Sequence, residues 1–187
     1  DLNKYKKPLV PEAGGIAVAL AVCFSLQIYI FLKTFYWKTT THIPEAFAVS
    51  AIVLLAGFIG FTDGILGWKR GLTQFKKVLL TVPIALPLMV INAGHSSMNI
   101  PFFGRVDFGL IYPLLLVPVG VIGTTNGFNL LAGYNGLEAG MGLIIFTTFG
   151  VTGLIVGEYW ISLISFIVSA SLLAFLYFNW YPAKVFP

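Results

Sequence analysis

Six long apolar runs, near residues 14–34, 45–62, 77–94, 108–124, 139–157 and 159–178, decide most of what this chain can fold into. A helix that crosses a bilayer needs about 20 consecutive apolar residues, and each run is close to that length. Charge is correspondingly scarce: 10% of the 187 residues are charged and 58% are hydrophobic, whereas a soluble domain carries roughly 25% charged residues. A surface made this way cannot be covered with groups that water solvates. Lipid accepts it, provided that every backbone polar group is satisfied within helices. The expected fold is therefore all-α, a polytopic transmembrane bundle of about six helices. A soluble globular domain is excluded.

Local signals refine the bundle. Only Gly157 and Glu158 separate the last two runs, which predicts a tight helical hairpin. Pro83, Pro87, Pro113 and Pro118 fall within runs, which membrane helices tolerate at the cost of kinks. The single Cys23 rules out an intrachain disulfide and argues against a thiolate metal site. It sits in an apolar run and reads as packing.

Parity then sorts the loops. With residues 1–13 on one side, six crossings bring 63–76, 125–138 and 179–187 to that same side, and 35–44, 95–107 and 157–158 to the other. The first side holds Lys4, Lys6, Lys7, Lys69, Arg70, Lys76, Lys77 and Lys184, and the second only Lys33, Lys38 and Arg105. This asymmetry marks the first side as cytoplasmic. It also accounts for the net charge of +4 without a nucleic-acid partner, and none is expected.

The same side carries the residues with chemistry. Asp1, Glu12, Asp63 and Glu138 lie there, with an Asn/Gly-rich stretch from Thr124 to Glu138. A carboxylate at the centre of a span is costly, about 2.5–3.5 kcal/mol on insertion scales, so Asp63 is expected at a helix mouth. Its alternative role there is simply to cap a helix. Asn126 and Asn129 are three residues apart and share a face on a helical turn. Carboxamide oxygens are hard, neutral ligands suited to Mg²⁺, and amide N–H groups can bind phosphate. An ordinary polar loop is the competing account. Lysines beside a carboxylate and carboxamides would suit an anionic, metal-bound substrate such as a nucleotide or a lipid phosphate. His42 and His95 fall on the opposite side and are not candidates for a base.

Four segments give a more specific reading. DLNKYKKPLVPEAGG (1–15), GFTDGILGW (60–68), NGFNLLAGYNGLEAG (126–140) and FNWYPAKVF (178–186) resemble, in order and sidedness, the motifs of the polyprenyl-phosphate N-acetylhexosamine-1-phosphate transferase family. The third is similar to the NAxNxLAGxNGLEAG motif of its eukaryotic and archaeal UDP-GlcNAc:dolichyl-phosphate branch. Ala132 stands where the bacterial branch has Asp, which agrees with that assignment.

The resemblance implies an Mg²⁺-dependent enzyme that transfers GlcNAc-1-phosphate from UDP-GlcNAc to a polyprenyl (dolichyl) phosphate, the first step of lipid-linked oligosaccharide synthesis for N-glycosylation. It implies Asn129 as the Mg²⁺ ligand. Asp1, Leu2, Glu12 and Asn135 would contact the UDP-sugar, and Lys77 and Asn126 the lipid phosphate. Asp63 and Lys77 would serve catalysis. The implied setting is the plasma membrane of an archaeon or the endoplasmic reticulum membrane of a eukaryote, with the bilayer itself as a partner. A homodimer is one arrangement left open.

Two departures qualify the match. The family's aspartate pair is Asp63-Gly64 here, and the chain stops at Pro187, before the expected GDxG that carries a carboxylate metal ligand. Residues 1–187 are accordingly expected to be part of one membrane domain and inactive alone. A degenerate paralogue that binds without turnover, or a related transferase using another UDP-N-acetylhexosamine, are the alternatives. A transporter would call for ionisable residues well inside spans, and none is found.

Overall fold

The structure, a computed structural model, describes residues 10–11, 13–70, 74–92, 95–131 and 133–187, without the side chains of 63–70, 74–78 and 131. The helices are α1 (Gly14–Phe35), α2 (Ile43–Arg70), α3 (Gln74–Ile91), α4 (Val117–Leu131), α5 (Leu137–Val156) and α6 (Tyr159–Asn179). Strands β1 (Ser97–Ile100) and β2 (Gly104–Asp107) form a small antiparallel hairpin between α3 and α4. The chain is an integral, multi-pass membrane protein. Among the described residues, five helical stretches are long and apolar enough to cross a bilayer, and Leu79–Ile91 of α3 is a shorter apolar one.

The helices form an arc rather than a closed ring. α5 packs on α6, α6 on α1, α1 on α2, α2 on α3 and α3 on α4, while α4 barely touches α5. α1 shows how sequence sets this packing. Ala19, Val22, Cys23, Leu26, Ile30 and Lys33 are buried, at the three- and four-residue spacing of one helix face. Phe24, Phe31 and Phe35 point outward and are more than half exposed. Burying one such side chain is worth about 1.5–3 kcal/mol, so a surface studded with them is stable only against lipid.

Small residues let α5 and α6 approach closely. A Cβ on Gly153 would lie 2.5 Å from Ser162 Oγ, and one on Gly150 would lie 2.7 Å from Phe166 Cε1. Ser162, Ser165 and Ser169 are buried on the facing side of α6. In lipid, where no hydrophobic force drives helices together, such close backbone contact is what holds them. Gly157, at φ +81°, ends α5, and the Glu158 N–H returns to the Gly153 carbonyl at 2.8 Å. That is the left-handed helix stop glycine supplies most readily.

Three expectations shift. α2 continues to Arg70 and α4 to Leu131, so Asp63 and the Asn126/Asn129 pair belong to helices and not to loops. Asp63 sits several residues before the end of α2, which removes the capping role weighed for it. Before α4 the chain forms a π-helical turn, Tyr112–Leu116, with Pro113 in its first positions. Pro118 follows within α4. A proline ring cannot donate an N–H and crowds the preceding turn, and the wider π spacing is one way to absorb that crowding. The hairpin was not expected from sequence.

The hairpin is closed by Asp107, whose Oδ1 accepts the Gly109 N–H at 2.9 Å. That bond, a second from the Ser96 side chain and the charge of Arg105 hold the Asp107 carboxyl below the usual carboxylate range. A carboxyl so lowered favours the folded hairpin above its unfolded pKa, and this contribution fades as pH falls through the lowered value. Protection of the Gly109 amide against hydrogen exchange should therefore persist into moderately acid solution and decline only below the ordinary carboxylate range. In D107N, whose carboxamide oxygen can still accept, the decline should vanish. Loss of protection already at mildly acid pH would contradict this account.

Candidate functional site

Segments distant in sequence meet inside the arc, at one end of the helices, and enclose a cavity of about 490 Å³. They are the start of α1, the second half of α2, α3 around Thr81, the last turns of α4, the turn before α5, and Phe186 with Pro187. Ile59, Phe61, Leu80, Ile84 and Phe128 give the cavity an apolar wall. Asn126, Asn129, Thr81 and Glu138 supply polar groups. Gly15, Gly57 and Gly60 line it without side chains.

Each polar group is held by its helix. Asn126 and Asn129 reach the cavity together because a three-residue step returns to the same face of α4. The Asn126 Nδ2 donates to the Ile122 carbonyl at 2.8 Å and to Thr81 Oγ1 at 3.2 Å, tying α4 to α3. A phosphate bound by its amide N–H would have to displace one of these. Asn129 carries the carboxamide expected to meet a metal. Glu138 stands in the first turn of α5, where the positive end of the helix dipole favours a carboxylate. Its Oε1 accepts the Gly133 N–H at 2.9 Å, and Oε2 is shielded from solvent with no hydrogen-bond partner among the described residues. Sequence reading counted Glu138 as an acidic residue on this side and gave it no role.

The other expected residues stand as follows. Asp63 is one helical turn beyond Ile59 and Gly60 on α2, and Lys77 one turn before Thr81 on α3. Their backbones are helical, and their side chains lie outside the described residues. Asp1, Leu2 and Glu12 lie outside them entirely, although Ala13 lines the cavity and Pro11 accepts the Phe186 N–H at 2.9 Å. Asn135 occupies the turn between α4 and α5, half-buried, and is not among the lining residues.

Mg²⁺ prefers six oxygens in a regular octahedron and usually takes several from water and substrate phosphate. The carboxamide of Asn129 is an oxygen donor of the right kind. Among the described residues, no group of three or more His, Cys, Asp or Glu side chains could hold a metal ion. The fit is thus one of donor type, with Asn129 as holder and the remaining positions left to water and phosphate oxygens.

Asn179 is the residue that sequence reading missed. It is completely buried at the end of α6. Its Oδ1 accepts the Gly136 N–H at 3.0 Å and its Nδ2 donates to the Val185 carbonyl at 2.8 Å. Its signals were a carboxamide closing an apolar span and a place in the FNWYPAKVF segment, which assigned it no role.

A protein of Sulfolobus acidocaldarius, provisionally named UDP-N-acetylglucosamine–dolichyl-phosphate N-acetylglucosaminephosphotransferase, is 34% identical over 189 residues covering 100% of this chain. One of Saccharolobus solfataricus with the same provisional name is 35% identical over 195 residues, again across 100% of the chain. The Dictyostelium discoideum UDP-N-acetylglucosamine–dolichyl-phosphate N-acetylglucosaminephosphotransferase is 27% identical over 226 residues. The chain spans about half the length of the curated relatives it matches, 56% of each archaeal protein and 54% of the Dictyostelium one. Residues 46–187 match the profile of glycosyl transferase family 4, a stretch that takes in most of α2 and everything after it. The chain belongs to glycosyl transferase family 4.

Proposed function

We propose that the protein containing this chain transfers GlcNAc-1-phosphate from UDP-GlcNAc to a polyprenyl phosphate of the dolichyl type, releasing UMP. The observation that carries the reading is one cavity with two kinds of wall. Carboxamides and a carboxylate (Asn126, Asn129 and Glu138) face the same space as Ile59, Leu80, Ile84 and Phe128. A substrate pair made of a nucleotide sugar and an isoprenoid phosphate needs both. The names of the archaeal and Dictyostelium relatives point to the same pair.

In this reaction an oxygen of the lipid phosphate attacks the β-phosphorus of the nucleotide sugar. A new O–P bond forms, the bond between the β-phosphorus and the bridging oxygen breaks, and its electrons leave on UMP. The lipid phosphate is already anionic near neutral pH, so proton removal contributes little. Positioning and charge neutralisation are the main tasks. Mg²⁺, held through Asn129, would offset charge on the diphosphate when bound. Lys77 would neutralise the incoming lipid phosphate, Asp63 would orient it or Lys77, and Asn126 would keep α3 and α4 in register beneath it. Asp1, Leu2, Glu12 and Asn135 would hold the nucleotide sugar. The excess of Lys and Arg in the segments at this end supports a cytoplasmic active face.

Incubating the full gene product with labelled UDP-GlcNAc, polyprenyl phosphate and Mg²⁺ tests the reading. Label in a lipid diphosphate with stoichiometric UMP is expected, and D63N should reduce the rate by about 10²-fold, the size expected when a reacting group is misplaced by about 1 Å. Undiminished turnover in D63N would remove Asp63 from the mechanism. Gly64, in place of a second carboxylate, favours one competing reading, a paralogue that binds without turnover. Binding of UDP-GlcNAc with no labelled lipid would establish it.

A further inference from the structure

The turn that carries Asn135 is fixed from two directions. On its own side, Glu138 Oε1 holds the Gly133 N–H. From α6, Asn179 holds the Gly136 N–H. Gly136 is buried at φ +74°, and a Cβ there would lie 3.2 Å from Trp180 Cε3 and 3.3 Å from Leu176 Cδ1. The turn is thus pressed onto the end of α6, with Asn179 beneath it.

The other half of the Asn179 carboxamide leads to the beginning of the chain. Its Nδ2 holds the Val185 carbonyl at 2.8 Å. The next residue, Phe186, donates its N–H to the Pro11 carbonyl and accepts the Gly14 N–H, both at 2.9 Å. Gly14 packs so closely on the Phe175 ring and the Phe186 carbonyl that no side chain fits there. A single buried side chain therefore joins the Asn135 turn, the chain's last residues and the start of α1. Glu12 lies between the two residues, Pro11 and Gly14, to which Phe186 bonds.

We propose that Asn179 is a positioning residue that fixes the Asn135 turn and the segment before α1 relative to each other, and so assembles the two halves of the nucleotide-sugar site. It touches no substrate and acts through Gly136 and Val185. The substrate clause rests on the transferase reading above. Leucine, with the same branching and number of heavy atoms but a larger volume, removes both bonds. Aspartate keeps the acceptor for Gly136 and sets a carboxylate against the Val185 carbonyl.

The test uses N179L and N179D in the full gene product, with two independent readouts. Hydrogen exchange of the 133–138 and 11–16 segments reports the clamp without any substrate. N179L should lose protection in both segments, and N179D mainly in 11–16. Steady-state kinetics should show the KM for UDP-GlcNAc raised about tenfold in N179L, the size expected for loss of a buried hydrogen bond at a binding site. The KM for polyprenyl phosphate should stay within twofold. Unchanged exchange in N179L overturns the clamp, as does failure of both variants to fold, which would make Asn179 a core residue only. Loosened segments with an unchanged KM for UDP-GlcNAc overturn the link to that site. Should the unaltered gene product fail to bind UDP-GlcNAc, the transferase reading falls and the substrate clause with it, and the exchange data still decide the clamp.

Discussion

N129A in the full gene product is expected to lower kcat for sugar-phosphate transfer by about 10²-fold or more, with the protein folded and its thermal stability close to the parent's. Asn129 faces the cavity from α4, and alanine is an excellent helix former, so the helix should tolerate the change. On the proposed reading, what is lost is a hard oxygen donor for the ion that neutralises diphosphate charge. Contributions of that kind are worth about 3 kcal/mol or more of transition-state stabilisation. Titrating activity against Mg²⁺ separates the causes. A metal ligand predicts that N129A needs far more Mg²⁺ for half-maximal rate, with N129D recovering part of the affinity. Full activity in N129A would remove Asn129 from the site.

G153L should damage the packing of α5 on α6 severely. The new Cβ would lie 2.5 Å from Ser162 Oγ and 3.1 Å from both the Glu158 carbonyl oxygen and the Ser162 nitrogen. Two of those three neighbours are backbone atoms, which cannot rotate away. Overpacking of this kind costs about 3 kcal/mol, or roughly 10 °C in Tm for a domain of this size. Unfolding in detergent, followed by helical circular dichroism, measures it. Adding S162A should recover only a minor part, because it removes the hydroxyl and leaves the backbone contacts. Recovery of most of the loss would mean that the hydroxyl alone sets the spacing.

The spans were legible because a bilayer imposes a long, simple pattern, and every predicted run from 14–34 to 159–178 coincides with a helix to within a few residues at most ends. The exceptions are instructive. α2 and α4 run past the apolar stretch to Arg70 and Leu131, since a helix leaving the membrane can go on pairing its own backbone in water while its side chains turn polar. The β1–β2 hairpin was hidden for another reason. Four residues per strand, Ser97–Ile100 and Gly104–Asp107, are too few for alternation to stand out from a loop.

The site was legible in its helical part only. Asn126 and Asn129 announced a shared face by spacing, and both line the cavity. Glu138 and Asn179 gave no such sign. Their importance comes from what lies opposite them, Gly133 for one and Gly136 with Val185 for the other. A contact between residues 43 apart is a property of the folded arrangement, and no local period encodes it.

The two-residue link between α5 and α6 has a consequence for how the protein reaches its membrane. Gly157 and Glu158 leave no slack, and Gly153 packs against Ser162 right beside the turn. An insertion machine would meet these helices as a single preassembled wedge, with Glu158 at its leading tip and both free ends trailing on the side of origin.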